Sequence, residues 1–327
     1  MTRAVPVALA AFLAAGNSDF EAPRTEWGDP DLTGTWPVQM VNDARIRLER
    51  PQEFGDRAEL TDAEFAERLA AAEQSDAEYR PAEGGTKGLS EWLLSTPFAH
   101  RSSLIVDPPD GRLPPLTKAA RALSEGARST RVGPPVFDWV SDFDAFERCI
   151  TRGFPAVMLP QPYNNGLRIF QAPGYVALQM ETFGTRIIRL ERSAPWPRKV
   201  RAWHGYSRGH WEGGTLVVVT TNIVSGDSAT TKRFGRAAGP IPGRENAVIP
   251  VGPDAKVVER FSLAGPDRLA YRVTYEDPAV YTAPWTAKLE RQRDEDYKLY
   301  EYACQEGDSS IRAVIEGSRA DRAASKR

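Results

Sequence analysis

From Cys149 to the last strand-like segment, short apolar runs follow one another, separated by turn residues too brief to hold a helix. Strands are predicted over 167–172, 174–181, 185–191, 207–212, 215–223, 256–263, 268–276, 284–293 and 298–304. Residues 268–275 (RLAYRVTY) alternate with period two, and 256–262 do so more weakly, as half-buried strands require. Glu212-Gly213-Gly214 supplies a tight hairpin between two of them. Short turns between neighbours exclude crossover helices and dictate an antiparallel meander. A meander of eight or nine strands closes most easily as a barrel, which removes its edges. The segment 224–255, rich in Gly, Pro and Arg, reads as a loop over one mouth.

The N-terminal half has a different texture. Residues 31–36 (DLTGTW) form a short first strand, and Leu60-Thr61-Asp62-Ala63-Glu64 reads as a capping box. Thr61 is its N-cap and Glu64 its N3 residue, opening a helix to about Tyr79. Residues 80–90 form a loop, 102–106 a short strand, and Thr117 caps a second short helix to about Ala127. Residues 134–147 are an aromatic, acidic loop. The predicted division is therefore a leader over 1–16, a first strand with a helical and loop insertion over 17–147, an antiparallel β-barrel over 148–311, and a tail over 312–327.

With 42 Lys+Arg against 44 Asp+Glu, the chain carries a formal charge of −2 and no basic footprint for nucleic acid. Three His and two Cys among 327 residues leave little from which to build a zinc or iron–sulfur site, and no HxH, HExxH or CxxC spacing occurs. No metal or cofactor is expected. Past the first twenty residues no 18-residue apolar run occurs, so no transmembrane helix is predicted. The start, MTRAVPVALAAFLAAG, has one Arg, an apolar stretch, and Ala14 and Gly16 at the −3 and −1 positions of a secretory cleavage site. It predicts export to the periplasm or beyond; a helical or disordered N-terminus of a cytoplasmic protein is the alternative. Cys149 and Cys304 stand 155 positions apart: one long-range disulfide if exported, two buried thiols if not.

Candidate chemistry gathers in the strand-rich half. His204 and His210 lie in the densest polar and aromatic cluster, where either could serve as a general base or simply sit hydrogen-bonded at a rim. Glu181 and Tyr163 complete the candidate catalytic set. Tyr163-Asn164-Asn165 either offers a phenol and amides to a ligand or builds a turn with Gly166. Arg148, Arg186 and Arg260 lie in or beside strands and require partners if turned inward, Glu181 and Glu259 being at hand. If Arg260 faces out, Glu259 faces in, where a buried Glu could act as acid or base. Trp211, Tyr271, Tyr281 and Trp285 either fill the core or line a pocket for a flat apolar ligand. Asn164, Asn165, Arg186, Asn222 and Arg260 are the polar members of that candidate ligand site.

Gly34-Thr35-Trp36 resembles the Gly-x-Trp signature of lipocalins and other calycins. Five further runs, over 101–117, 148–175, 207–222, 277–286 and 300–307, together with Glu259-Arg260-Phe261, are similar to a large family of secreted bacterial proteins of undetermined function. That family has a lipocalin-like barrel with an N-terminal insertion. The resemblance implies this fold, export, a structural role for Trp36 under an Arg from a late strand, and pairing of Cys149 with Cys304. One of Arg148, Arg186 and Arg260 is expected to be that arginine. Members often carry His near the positions of Phe183 or Gly184 and of Lys256, which this chain lacks.

The reading that results is an exported lipocalin-like barrel binding a small apolar or aromatic molecule, with metal-independent isomerase- or lyase-type chemistry as a possible addition. The alternative is an envelope interaction protein acting through loops 80–145 and 224–255. A histidine directed into the cavity beside a carboxylate would favour catalysis. An interior filled by Trp and Tyr would count against an interior ligand.

Overall fold

In the computed structural model, residues 20–37, 48–68, 70, 100–125, 136–160, 164, 166–190, 194–224 and 251–325 are described. Tyr163, Asn165, the leader, most of the predicted 80–90 and 224–255 loops and the end of the first predicted helix lie outside them.

The strand prediction from 167 onward is largely met. The strands are β1 (Gly34–Thr35), β2 (Ile105–Asp107), β3 (Leu167–Ala172), β4 (Tyr175–Met180), β5 (Thr185–Arg189), β6 (Tyr206–Glu212), β7 (Thr215–Thr221), β8 (Lys256–Gly265), β9 (Arg268–Glu276) and β10 (Trp285–Gln292). They form one sheet in the order β1-β3-β4-β5-β6-β7-β8-β9-β10-β2. This sheet curls into a half-barrel, and its ladder does not close: β1 lies at one margin and β2 at the other.

Three expectations are corrected. The sheet is not wholly antiparallel, because β5 and β6 meet in parallel through the single pair Arg189↔Arg208. The fifteen or so residues between these strands carry the chain back before β6 starts, which no hairpin turn would allow. Residues 298–304 form no strand; turn and irregular backbone there follow the disulfide rather than a ladder. The closed barrel is replaced by an open curled sheet.

Local chemistry explains the rest. The two-residue Gly213-Gly214 loop joins Glu212 to its partner Thr215. The capping box is formed: Glu64 Oε2 accepts from Thr61 N at 2.9 Å, and Thr61 Oγ1 accepts from Glu64 N at 3.3 Å, at the head of a helix over 62–68. Thr117 Oγ1 accepts from Ala120 N at 3.1 Å and caps the helix Lys118–Glu125.

A further helix, Ser310–Ala324, packs beside 137–142 through Phe137 N donating to Ser318 Oγ at 2.8 Å and an Arg322–Asp138 ion pair. No helix among the described residues is long and apolar enough to cross a membrane.

Alternation decides what lies inside. On β8 Val257, Glu259 and Phe261 are buried, and on β9 Leu269, Tyr271, Val273 and Tyr275. Trp285, Ala287, Leu289 and Arg291 continue the inner face on β10. The concave side is thus filled by Trp36, Trp285, Tyr271, Tyr275 and Phe261, each fully buried.

Candidate functional site

Inside the curl, one ion pair organises the polar residues. Arg186 points inward because β5 alternates exposed and buried positions, and Glu259 points inward because β8 does the same. Arg186 Nη1 donates to Glu259 Oε1 at 3.0 Å and Nη2 donates to Oε2 at 2.6 Å. Nη2 also reaches Ser207 Oγ at 3.1 Å and Thr220 Oγ1 at 3.2 Å. Tyr271 OH donates to Glu259 Oε1 at 2.9 Å, and burial followed by the neighbouring carboxylate pushes that phenol well above its ordinary pKa. Phe154 covers the guanidinium, its ring centroid 4.3 Å away. Arg260 faces outward and pairs with Glu212 at 2.7 Å, so the strand parity of this Glu–Arg dipeptide is as the sequence requires. The buried cluster is nearly saturated within itself, which suits a structural role.

The arginine over Trp36 is none of the three expected. Arg293, just past β10, holds its guanidinium 4.2 Å from the Trp36 ring centroid and donates to Thr33 O at 2.8 Å. Beneath it, Arg291 donates to Trp36 O and Met158 O, each at 3.1 Å, and burial draws its pKa down to about 10. The signal that could have found this pair was the inward parity of β10, extended by one step to Arg291 and the segment after it. Trp36 itself is fully buried and donates from Nε1 to Leu32 O at 3.0 Å, the structural position expected of it.

The other candidates are dispersed. His204 is half-buried beside Phe154 and shares a 2.9 Å hydrogen bond with Thr151 Oγ1. Burial, then the charge of Arg186, lowers its pKa to about 4. His210 stands exposed on the outer face, 3.0 Å from Glu212 Oε1. The two histidines therefore do not converge. Trp211 is half-buried against the core, and Asn222, with φ 57°, donates to Pro197 O and Val200 O at 3.0 and 2.8 Å. Tyr275, Tyr281 and Trp285 pack together at centroid distances of 5.6 to 6.5 Å, near Asp277. Tyr275–Trp285 is the closest of these pairs, at 5.6 Å. Asp277 Oδ2 accepts from Tyr275 OH at 2.7 Å and Gly252 N at 2.6 Å, while burial raises its pKa. Asn164 adopts φ 52°, the left-handed turn role weighed for it.

One sequence candidate borders open space. Glu181, only 8% exposed, lines a cleft of about 580 Å³ between the β4–β5 turn and residues 299–306. Its Oε2 accepts from Gly166 N at 2.8 Å and from Tyr297 OH at 2.7 Å. A side chain at Gly166 would strike Tyr297 and Glu181, which explains the glycine. Burial, then the bond to Glu181, raises the Tyr297 pKa, so this phenol remains a donor. The carboxylate's second oxygen, Oε1, has no hydrogen-bond partner among the described residues.

The cleft walls include Phe183, Tyr300 and Tyr302, with Phe183 and Tyr302 edge-to-face at 5.2 Å. The Cys149–Cys304 disulfide forms part of the lining, its Cα atoms 5.6 Å apart. Cys149 and Phe183 both have left-handed backbone, φ 56° and 63°, an arrangement that costs about 1–3 kcal/mol each for such residues. Tyr297, Tyr300 and Tyr302 were not singled out from the sequence, the last two because 298–304 read as a strand, and Phe183 entered only as a position where the similar family often carries His.

Comparison with models of protein families, with curated proteins and with solved structures finds no match to this chain.

Proposed function

We propose that the protein is an exported small-molecule-binding protein, a calycin-like half-barrel whose ligand occupies the cleft at the β4–β5 turn. The observation that carries this reading is the cleft itself: about 580 Å³, with a buried carboxylate on its wall and aromatic rings beside it. That size falls within the range of small-ligand sites, and few convergent polar groups in a partly apolar wall are their usual composition. Backbone held left-handed at Cys149 and Phe183 fits a rim shaped for a task other than packing.

The site differs from the one expected inside the barrel, because Tyr271, Tyr275, Trp285 and Trp36 fill that space with one another. Binding is favoured over catalysis because neither His204 nor His210 lines the cleft. Export is supported by the leader-like start and by the disulfide. The interaction reading depends on loops largely outside the described residues.

A thermal-shift screen of the full chain against apolar and aromatic metabolites tests the proposal. A ligand at 100 times its Kd stabilises by about 2.7 kcal/mol, enough to register as a shift of a few degrees. Such shifts should disappear when Phe183 and Tyr302 are both replaced by Ala. Absence of any shift across the library would overturn the reading.

A further inference from the structure

The walls of the cleft carry charge of one sign. Glu181, Glu301 and Glu306 line it, and no Lys, Arg or His does. Glu301 and Glu306 are exposed at the rim, whereas Glu181 is nine-tenths buried. Among the described residues only Oε2 of Glu181 is engaged, by Gly166 N and Tyr297 OH. These two donors fix the carboxylate plane and leave Oε1 without a partner among the described residues, on the wall of the cleft. A carboxylate oxygen without a partner among the described residues, in a side chain that lines an open cleft, is available to a donor from outside.

The aromatic surroundings point the same way. Phe183, Tyr300 and Tyr302 line the same cleft, and the rings of Phe183 and Tyr302 meet edge-to-face. Aromatic faces attract cations and offer little to an anion. Three carboxylates with no base among the lining residues favour cations by their field and disfavour carboxylates and phosphates. A bare metal ion is a poorer match, since three oxygen ligands around one point are not what the described residues provide.

We propose that the ligand of this cleft is an organic cation, an amine bearing an apolar or aromatic body, whose ammonium group donates to Glu181 Oε1. This rests on the cleft being the binding site and adds to it the charge and chemical class of the ligand. The apolar body lies against Phe183 and Tyr302, and Glu301 and Glu306 draw the cation in from solvent. Primary and secondary ammonium groups satisfy both the charge and the open acceptor. A quaternary ammonium satisfies only the charge and should bind more weakly.

Three probes of matched size separate the possibilities in calorimetric titrations of the full chain: 2-phenylethylammonium, 2-phenylethanol and 3-phenylpropionate. The expected result is binding of the ammonium at least about tenfold tighter than the alcohol, with no measurable binding of the carboxylate. Glu181→Gln keeps an acceptor for Tyr297 and Gly166 and removes the charge. It should abolish the preference for the ammonium while leaving affinity for the alcohol within about twofold. Should Glu181→Gln fail to fold, Glu301→Gln with Glu306→Gln, both on exposed positions, should slow association of the ammonium and reduce its salt dependence. Equal binding of all three probes, or a preference that survives Glu181→Gln, would overturn the cationic assignment and leave the cleft standing. Binding of none would remove the cleft reading along with it.

Discussion

Arg186 and Glu259, 73 positions apart, meet inside the sheet in a two-pronged ion pair with contacts of 3.0 and 2.6 Å. Neither side chain is more than 4% exposed, so both charges have left water completely. Removing one partner strands the other. Glu259→Gln or Arg186→Met alone should each cost about 3–5 kcal/mol, while the double replacement should cost clearly less than their sum. Urea unfolding of the four proteins gives the coupling directly. Strict additivity would show that the pair is not coupled as its geometry requires.

His204 makes stability depend on pH. Its folded-state pKa is about 4, below the ordinary 6.5, so the unfolded chain takes up a proton first as pH falls. Between about pH 6.5 and 4 the unfolded state therefore binds more protons, and stability drops by up to about 3 kcal/mol. Above 6.5 the full contribution is present. His204→Gln should flatten this stretch of the profile, and the difference between wild type and variant isolates it from carboxylate titration. A profile of identical slope in both proteins would exclude the effect.

Arg293 lies over Trp36 and also holds Thr33 O, so its loss removes a ring contact and a charge-assisted hydrogen bond. Arg293→Ala should destabilise by about 1–2 kcal/mol. Arg293→Lys should recover only part, because an ammonium lacks the flat face. Gly34→Ala tests the same contact from below. Its Cβ would fall on the Arg293 guanidinium, and φ there is +140°. It should cost more than Arg293→Ala.

The disulfide closes a separation of 155 residues. In the chain-entropy account its loss lowers stability by about 4–5 kcal/mol. Alkylation of native, unreduced protein should add no mass, and the double Cys149→Ser, Cys304→Ser variant should show a lower urea midpoint. Two alkylated thiols in native material would refute the bond.

What was legible in the chain was whatever repeats locally. Period two over 268–275 located β9, and Gly213-Gly214 located the β6–β7 hairpin. The same parity told that Arg260 and Glu259 face opposite ways. It did not tell that Arg186 is the partner of Glu259, because that needs the register of the two strands, β6 and β7, that lie between theirs. Residues 298–304 alternate Tyr with polar residues and so imitate a strand, yet Tyr297 and Cys304 tie this stretch across the sheet's end. That misreading concealed one wall of the cleft. Glu181 was selected as a candidate for its charge, but the open Oε1 and its acidic neighbours exist only once distant segments meet. Sequence pattern reports which face a residue takes, and sites are made where faces from different segments converge.

Cys149 precedes β3 and Cys304 follows β10, so eight consecutive strands lie within one covalent hoop. The two strands outside it, β1 and β2, are those at the sheet's margins. The N-terminal half thus acts as a pair of clips on a self-contained hoop, covering the otherwise bare flanks of β3 and β10. A single proteolytic cut anywhere between the two cysteines would leave the hoop as one molecule until it is reduced. A truncation starting at 148 would keep every bond of the hoop and still leave two naked edges open to strand-by-strand aggregation.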